Sequence, residues 1–436
     1  MAGGTIQRMG TRGARWLVLV ACAAAGGLPA SAAAFSLGPQ NALSPTGSQA
    51  FPYSVAIAGG PPDRALVAWS NGATLAGAGR SFVRPVSGSG RAIGPAVDPF
   101  PDDVTVATPA LAYEPANSRW LSVWPGSGPG EAEHACSAHA LQAPPPTSCS
   151  VRDTELFAMT LSTSGRPVGP LVKLTSAAQG ETQSRAVMPL GLERVAPHRF
   201  VLAYELRHNG IAEIRARALT SALSTTADRR VAGVAGGSAG FLGGALAFGT
   251  RGAGLVTWSE PRSTGRSSGL ASFISRISRA GVPIGKPKAT GLSAFTASAV
   301  PGGFLLAGEA NSRPFAPGVQ FVRSKGRPGA FVKERSGAEL GAVGVMGARR
   351  GLALFTKGPG DADDVFARVV DGRARFRGTA HRVSRMGGVS KSGAPGFAQV
   401  PAAAPTQHGR ALLIAWIGHL ANSSTPRRVF VRAVRP

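Results

Sequence analysis

The chain has 436 residues, 43% hydrophobic and 16% charged, a balance that excludes the disordered class and supplies a large core. Its 59 glycines and 34 prolines punctuate the whole length, and helical-period apolar runs are hard to find, so many short strands and turns are expected. A formal charge of +25 favours anionic partners over cationic ones.

At the N-terminus, Arg8, Arg12 and Arg15 precede the apolar stretch WLVLVACAAAGGL and the small residues LPASAAA. That order is the signature of an export signal, read here as residues 1–34. It predicts a secreted or extracytoplasmic protein of residues 35–436. LVAC also fits a lipoprotein box with Cys22 as the lipidated residue, although the apolar run before it, Trp16 to Ala21, is short. No later segment reaches the roughly 20 apolar residues of a membrane span, so no transmembrane segment is expected in the mature chain. Residues 1–34 carry three arginines and no acid, which leaves +22 on the remainder.

Next comes FSLGPQNALS, residues 35–44, whose last seven residues return as GPLVKLT at 169–175 and GTAHRVS at 378–384. A second word recurs more often: an apolar strand closing on an aromatic. It runs RALVAW to Trp69, RWLSVW to Trp124, RFVLAY to Tyr204, GAGLVTW to Trp258, GLALF to Phe355 and RALLIAW to Trp416, with a degenerate copy GGFLLAG ending at Gly308. The spacings of 55, 80, 54, 50, 47 and 61 residues are those of propellers or repeat arrays. A small apolar strand precedes each word. A strand of period two follows it, as in FVRPV, IRARAL and VFVRAV, with one basic side chain expected to face out. A glycine turn and a fourth strand complete the unit, except that the third copy lacks the G-x-p-x-G turn and the fifth lacks the aromatic.

Four strands in meander order make a blade, and the copies divide the chain at about 51–103, 104–179, 180–237, 238–292, 293–338, 339–387 and 388–436. The seventh copy lacks a fourth strand, while residues 35–44 supply a fourth strand without a blade. The expected fold is all-β, a β-propeller of seven four-stranded blades whose ring closes when the N-terminal strand pairs with the last blade. The repeat resembles bacterial extracellular β-propeller repeats of the pattern PxvAyxxxxxxylvvWxxxxxxifaxrlxxxGxplgxxfxis, over nearly all of 35–436. That resemblance implies a surface or secreted propeller and no particular activity.

In such a fold, the loops between second and third strands share a face with the loops between blades, where function is commonly carried. The longest is 125–155 in blade 2, where Cys136 and Cys149 are expected to form a disulfide. Its Glu131, Glu133, His134 and His139 have metal-ligand chemistry but match no zinc spacing. Asp361, Asp363 and Asp364 offer oxygen ligands without the EF-hand pattern, so no metal and no cofactor is expected. Arg207, His208, Arg262, Arg313 and His419 complete the candidate binding residues of this loop face. Glu205, Glu213, Glu260 and Glu309 are candidate acids there, but none lies in a catalytic motif, and G-x-S-x-G, H-E-x-x-H, the P-loop and the sialidase Asp-box are absent.

The positive charge reads as scattered, without the interleaved aromatics of a nucleic-acid site, so specific nucleic-acid binding is disfavoured. The functional reading is a non-catalytic binding or scaffold module of the cell envelope, monomeric, with an anionic polymer or polysaccharide as partner. The alternative is a hydrolytic propeller, carbohydrate-active or other, with acids at the channel mouth.

Overall fold

The computed structural model describes residues 35–44, 52–71, 80–100, 105–106, 109–127, 154–176, 186–208, 211–235, 243–249, 252–263, 268–311, 316–334, 339–346, 350–357, 363–386, 397–406, 411–421 and 427–435. Strands β1 (Ser36–Leu37) and β2 (Asn41–Ala42) come first. Blade 1 holds β3 (Pro52–Gly59), β4 (Arg64–Asn71) and β5 (Arg80–Ser87), its outer edge carried by the bridges Val83–Val97 and Val86–Ala92. Blade 2 has a split inner strand, β6 (Thr105–Val106) and β7 (Ala110–Glu114), then β8 (Arg119–Ser127), β9 (Glu155–Leu161) and β10 (Val172–Lys173). Blade 3 is β11 (Ala186–Ala196), β12 (Arg199–His208), β13 (Ile211–Thr220) and β14 (Arg229–Ala235). Blade 4 is β15 (Gly244–Phe248), β16 (Ala253–Ser263), β17 (Ser268–Ser278) and β18 (Pro283–Thr290). Blade 5 is β19 (Leu292–Val300), β20 (Gly303–Ala310), β21 (Pro317–Arg323) and β22 (Pro328–Lys333). Blade 6 is β23 (Glu339–Met346), β24 (Arg350–Lys357), β25 (Asp364–Asp371) and β26 (Phe376–Arg382). Blade 7 ends the chain with β27 (Phe397–Pro405), β28 (Leu412–His419) and β29 (Arg428–Arg435).

Within each blade the strands pair antiparallel in chain order. Each inner strand packs on the inner strand of the next blade, from β3 through β7, β11, β15, β19 and β23 to β27, which returns to β3. Seven buried clusters, one at each interface between adjacent blades, form the core. The chain is therefore a seven-bladed β-propeller occupying Phe35–Pro436. Its ring is closed as expected: β1 pairs Ser36 with Arg435 and Leu37 with Val434, and β2 pairs Asn41 with Val431 and Ala42 with Phe430.

The recurring aromatics are core. Trp69, Trp124, Trp258 and Trp416 are buried, and three of them stack on a phenylalanine of the neighbouring strand, Phe82, Phe273 and Phe430, at 5.8–5.9 Å between centroids. Such a pair adds about 0.5–1.5 kcal/mol beyond area burial. In blade 5 the aromatic position is Gly308, because a Cβ there would lie 1.8 Å from the Ser293 carbonyl oxygen. Blades 3 and 5, the two with incomplete repeats, still form full four-stranded sheets.

The seven-residue phrase has a mechanical meaning. Its sixth residue, Leu43, Leu174 or Val383, is buried, and its N–H donates to the third strand at Val429, Leu156 or Val365. The closing hydroxyl of Ser44, Thr175 or Ser384 then accepts the N–H of that same third-strand residue at 2.8–3.0 Å. In two copies the opening glycine carbonyl, Gly38 or Gly378, accepts a hydrogen bond from a third-strand arginine, Arg432 or Arg368.

These arginines correct the expectation of a basic residue facing out. Arg217 and Arg432 are buried, at 8% exposure. Arg84 donates across the blade boundary to the Leu43 carbonyl, Arg217 to that of Leu174 and Arg432 to that of Val383. Arg368 makes the same crossing to the Glu334 carboxylate at 3.0 Å. Part of the positive charge is thus structural.

Candidate functional site

A cavity of about 920 Å³ lies where the inner strands converge, lined by residues of β3, β7, β11, β15, β19, β23 and β27. Its wall is almost entirely small and apolar, including Val55, Ala58, Ala112, Leu192, Leu246, Ala299, Val343 and Ala403. The volume falls in the range that small-molecule sites occupy. Two charged residues enter the lining, Glu193 and Arg194, consecutive on β11. Both lie just before the turn from β11 to β12. In a meander this turn is on the face opposite the loops between second and third strands.

Burial pushes the Glu193 carboxyl up to about 7. The side chain is half-buried, wetted by the channel yet ringed by protein, and β11 sets it opposite Val201 with an apolar neighbourhood and no described ion pair. A carboxyl in that state can hold or release a proton near neutral pH. Arg194 beside it is exposed. Sequence reasoning passed over both; the available signal was a pair of charges in a strand type that is otherwise apolar. Nearby, the Glu114 carboxylate accepts the backbone N–H groups of Ala116 at 3.1 Å and His198 at 2.7 Å, joining two inner turns.

The residues expected from sequence are placed elsewhere. Arg207 and His208 end β12 in blade 3, His419 ends β28 in blade 7, and in blade 6 Asp364 begins β25 with Asp363 just before it. None of these lines the cavity. Arg207 donates to the buried Glu205 carboxylate at 2.7 Å. His208 lies 3.7 Å from the Glu213 carboxylate, which also pairs with Arg215 at 2.6 Å and Arg230 at 3.3 Å. Asp364 is buried: it accepts from the Ser384 hydroxyl at 2.5 Å and the Met386 N–H at 3.1 Å, and it pairs with Arg382. Those bonds give it a structural task at the start of the third strand of blade 6. Arg262 falls within β16, and nothing of its side chain is described. Glu131, Glu133, His134, His139, Arg313, Asp361 and the Cys136–Cys149 pair lie outside the described residues, as do residues 1–34.

Of the four acids suggested for the loop face, Glu205 and Glu213 lie on the adjacent strands β12 and β13 of blade 3, Glu260 lies in blade 4 and Glu309 in blade 5. Glu205 and Glu213 are consumed as above, Glu260 accepts from the Trp258 indole at 2.9 Å, and Glu309 stands opposite Ser293 in blade 5. A denser network lies on the outer part of blade 3, where Asp228 accepts from Arg217 at 2.8–3.0 Å and also from the Tyr204 hydroxyl. Burial works against the Asp228 charge, but these donors and the Arg217 and Arg215 charges hold its carboxyl below the usual range. Burial pushes the Tyr204 phenol up. Among the described residues, no group of three or more His, Cys, Asp or Glu is arranged to hold a metal ion.

No family model and no curated protein matches the chain. Among solved structures it is similar to the β-propeller domain of the Trilobed protease from Pyrococcus furiosus, at 7% identity over 88% of this chain and 94% of that one, TM-score 0.46. It is also similar to the polysaccharide lyase Uly1, at 10% identity over 91% of each chain, TM-score 0.48. A third is an α-L-arabinanase of Penicillium chrysogenum complexed with arabinobiose, at 11% identity over 91% and 98%, TM-score 0.47. No activity is transferred from any of them, and the propeller assignment stands on the strand pairing itself.

Proposed function

We propose that the chain is a non-catalytic binding or scaffold propeller of the cell envelope, monomeric, with an anionic polymer or polysaccharide as its partner. The observation that carries this reading is that a single acid among the described residues lines the channel and that Glu205, Glu213 and Glu260 are engaged by partners of their own. Carboxylate-pair hydrolysis of a glycosidic bond needs two facing carboxyls about 5–9.5 Å apart, whereas one carboxylate, Glu193, lines the channel among the described residues. The candidate acids are already engaged: Glu205 and Glu213 on the adjacent strands β12 and β13 of blade 3 pair with Arg207 and Arg215, and Glu260 in blade 4 accepts from the Trp258 indole. The surplus of +22 on residues 35–436 supports an anionic partner, and the leader read in residues 1–34 supports extracytoplasmic placement. Arg262 and Arg313 of the loop face belong to the proposed contact surface.

The test is a binding screen against acidic and neutral polysaccharides, cell-wall fractions and DNA, at low and physiological salt, with turnover followed in parallel. Salt-resistant binding to one acidic polymer without turnover is the expected result. Turnover of any bound glycan overturns the non-catalytic reading. The second reading, a hydrolytic propeller, draws on Glu193, whose carboxyl stays largely protonated up to about pH 7 in a ligand-sized cavity. Turnover abolished by Glu193→Gln would establish it.

A further inference from the structure

Between Glu260 and Glu334 the chain carries eleven lysines and arginines and one acid, Glu309. Four of these bases meet at the groove between blades 4 and 5. A cavity of about 230 Å³ there is walled by Arg276 of β17, Lys286 and Lys288 of β18, and Lys325 of the turn after β21, over a floor of Leu255 and Ile274. The space comes from the strand register. Ile274 pairs with Lys288 and Arg276 with Ile284, so three residues of β18 bow out opposite the single Ser275. Gly285 makes the bow with a φ of +80°.

Arg276 is held from the other side. The turn of blade 5 crosses its side chain at Gly326, where a Cβ would lie 2.9 Å from Arg276 Cδ. Its Nε is shut off from solvent and has no hydrogen-bond partner. Several arginines elsewhere have a carboxylate partner: Arg217 has Asp228, Arg368 has Glu334, and Arg375 and Arg377 share Asp371. Among the described residues, no carboxylate pairs with Arg276, Lys286, Lys288 or Lys325. A buried donor of a charged group left unmet is costly, and a planar guanidinium matches the oxygens of an oxyanion.

We propose that this groove is a binding site for a phosphate or sulfate group. The oxyanion sits on Arg276 and is enclosed by the three lysines. The cavity is larger than the oxyanion alone, so it takes part of the unit that carries the group as well. The outer strand β18, exposed from Ile284 to Ala289, leaves room for a chain to continue along the blade. The site lies on the outer rim, apart from the channel, and holds whether or not the partner is an envelope polymer.

Isothermal titration of the purified protein with inorganic phosphate and inorganic sulfate, in about 150 mM sodium chloride so that exposed charges are screened, tests the site. Poly(glycerol phosphate) and dextran sulfate, run in parallel, separate a phosphate-bearing from a sulfate-bearing source. The expected result is saturable binding of at least one inorganic anion, weakened at least tenfold by Arg276→Gln and by Lys325→Gln. The double variant Arg91→Gln/Arg435→Gln removes two exposed charges from blades 1 and 7 and should stay within twofold. Lys325 is on an exposed turn, so its variant keeps the test decisive if Arg276→Gln misfolds. Absence of saturable binding to both anions, or equal losses in the blade 1 and 7 control, overturns the proposal.

Discussion

Arg84, Arg217, Arg368 and Arg432 share one repeat position, and each spends its charge on the preceding blade. Period two in the sequence marked them as one face of a strand; whether that face met water or a neighbouring blade depended on ring closure, which alternation does not encode. Arg217 is the most committed, with Asp228, the Tyr204 hydroxyl and the Leu174 carbonyl as acceptors. Arg217→Gln should therefore destabilise the fold by about 2–3 kcal/mol, less than the roughly 3–5 kcal/mol for a fully buried pair because Asp228 is partly exposed. Arg217→Lys should recover little, since one ammonium cannot span three acceptors; denaturant midpoints of the two variants check this. Glu193 gives a prediction of opposite sign. Its carboxyl titrates at about 7 against an ordinary 4.5, so between those values the folded state keeps a proton that the unfolded state has lost. Stability then falls as pH rises through the window, and the deficit is complete above about pH 7. Each pH unit is worth about 1.4 kcal/mol, and wetting by the channel reduces the sum to about 1–2 kcal/mol. Glu193→Gln should match the parent at pH 4 and exceed its stability at pH 8; a gap that does not widen with pH would rule out the titration.

At the scale of the element, the phrase ending in Ser or Thr was legible as the outer strand of a blade, but the hydroxyl bond to the third strand was not, because recurrence in a sequence names no hydrogen-bond partner. Ser384→Ala deprives the Val365 N–H and the Asp364 carboxylate of one partner each. A loss of about 1–3 kcal/mol is expected for such buried groups, and Thr175→Ala should behave alike through Leu156 and Glu155; thermal melts compare them. The turn from β25 to β26 was legible as a glycine turn, but its acid was not singled out. Burial raises the cost of charge on Asp371, yet the N–H groups of Arg375 and Arg373 and the guanidinium groups of Arg377 and Arg375 bring its carboxyl down to about 2 from 3.8. Its contribution is present above about pH 4 and lost as pH falls towards 2. Asp371→Asn should cost about 1–2 kcal/mol at pH 7, discounted because the turn is partly exposed, and little at pH 2. Acid unfolding curves of parent and variant should converge over that interval. The basic groove between blades 4 and 5 was hidden for another reason: Arg276, Lys286, Lys288 and Lys325 span fifty positions and look scattered until a strand register and a neighbouring turn bring them together.

For the whole molecule the decisive feature is the seam. Residues 35–44 give β29 its partner, with Leu43 buried against blade 1 and Ser44 accepting the Val429 N–H at 3.0 Å. The Arg432 guanidinium reaches the Gly38 carbonyl, and Arg84 of blade 1 reaches the carbonyl of Leu43. The strand thus links the last blade to the first, and neither could satisfy those donors without it. Burial of Leu43 alone is worth about 2–5 kcal/mol by comparison with Leu-to-Ala losses. Removing the strand also bares the edge of β29, whose N–H and C=O groups would then template pairing with another chain. A protein beginning at residue 45 should melt well below one beginning at residue 35 and should self-associate with rising concentration, seen in sedimentation velocity. Supplying residues 35–44 as a peptide should reverse both effects, because the missing strand is contiguous and makes its contacts through one edge. Equal melting and a monomeric state for both proteins would mean that the interblade clusters alone hold the ring, and the closure would be an ornament of the fold rather than part of its stability.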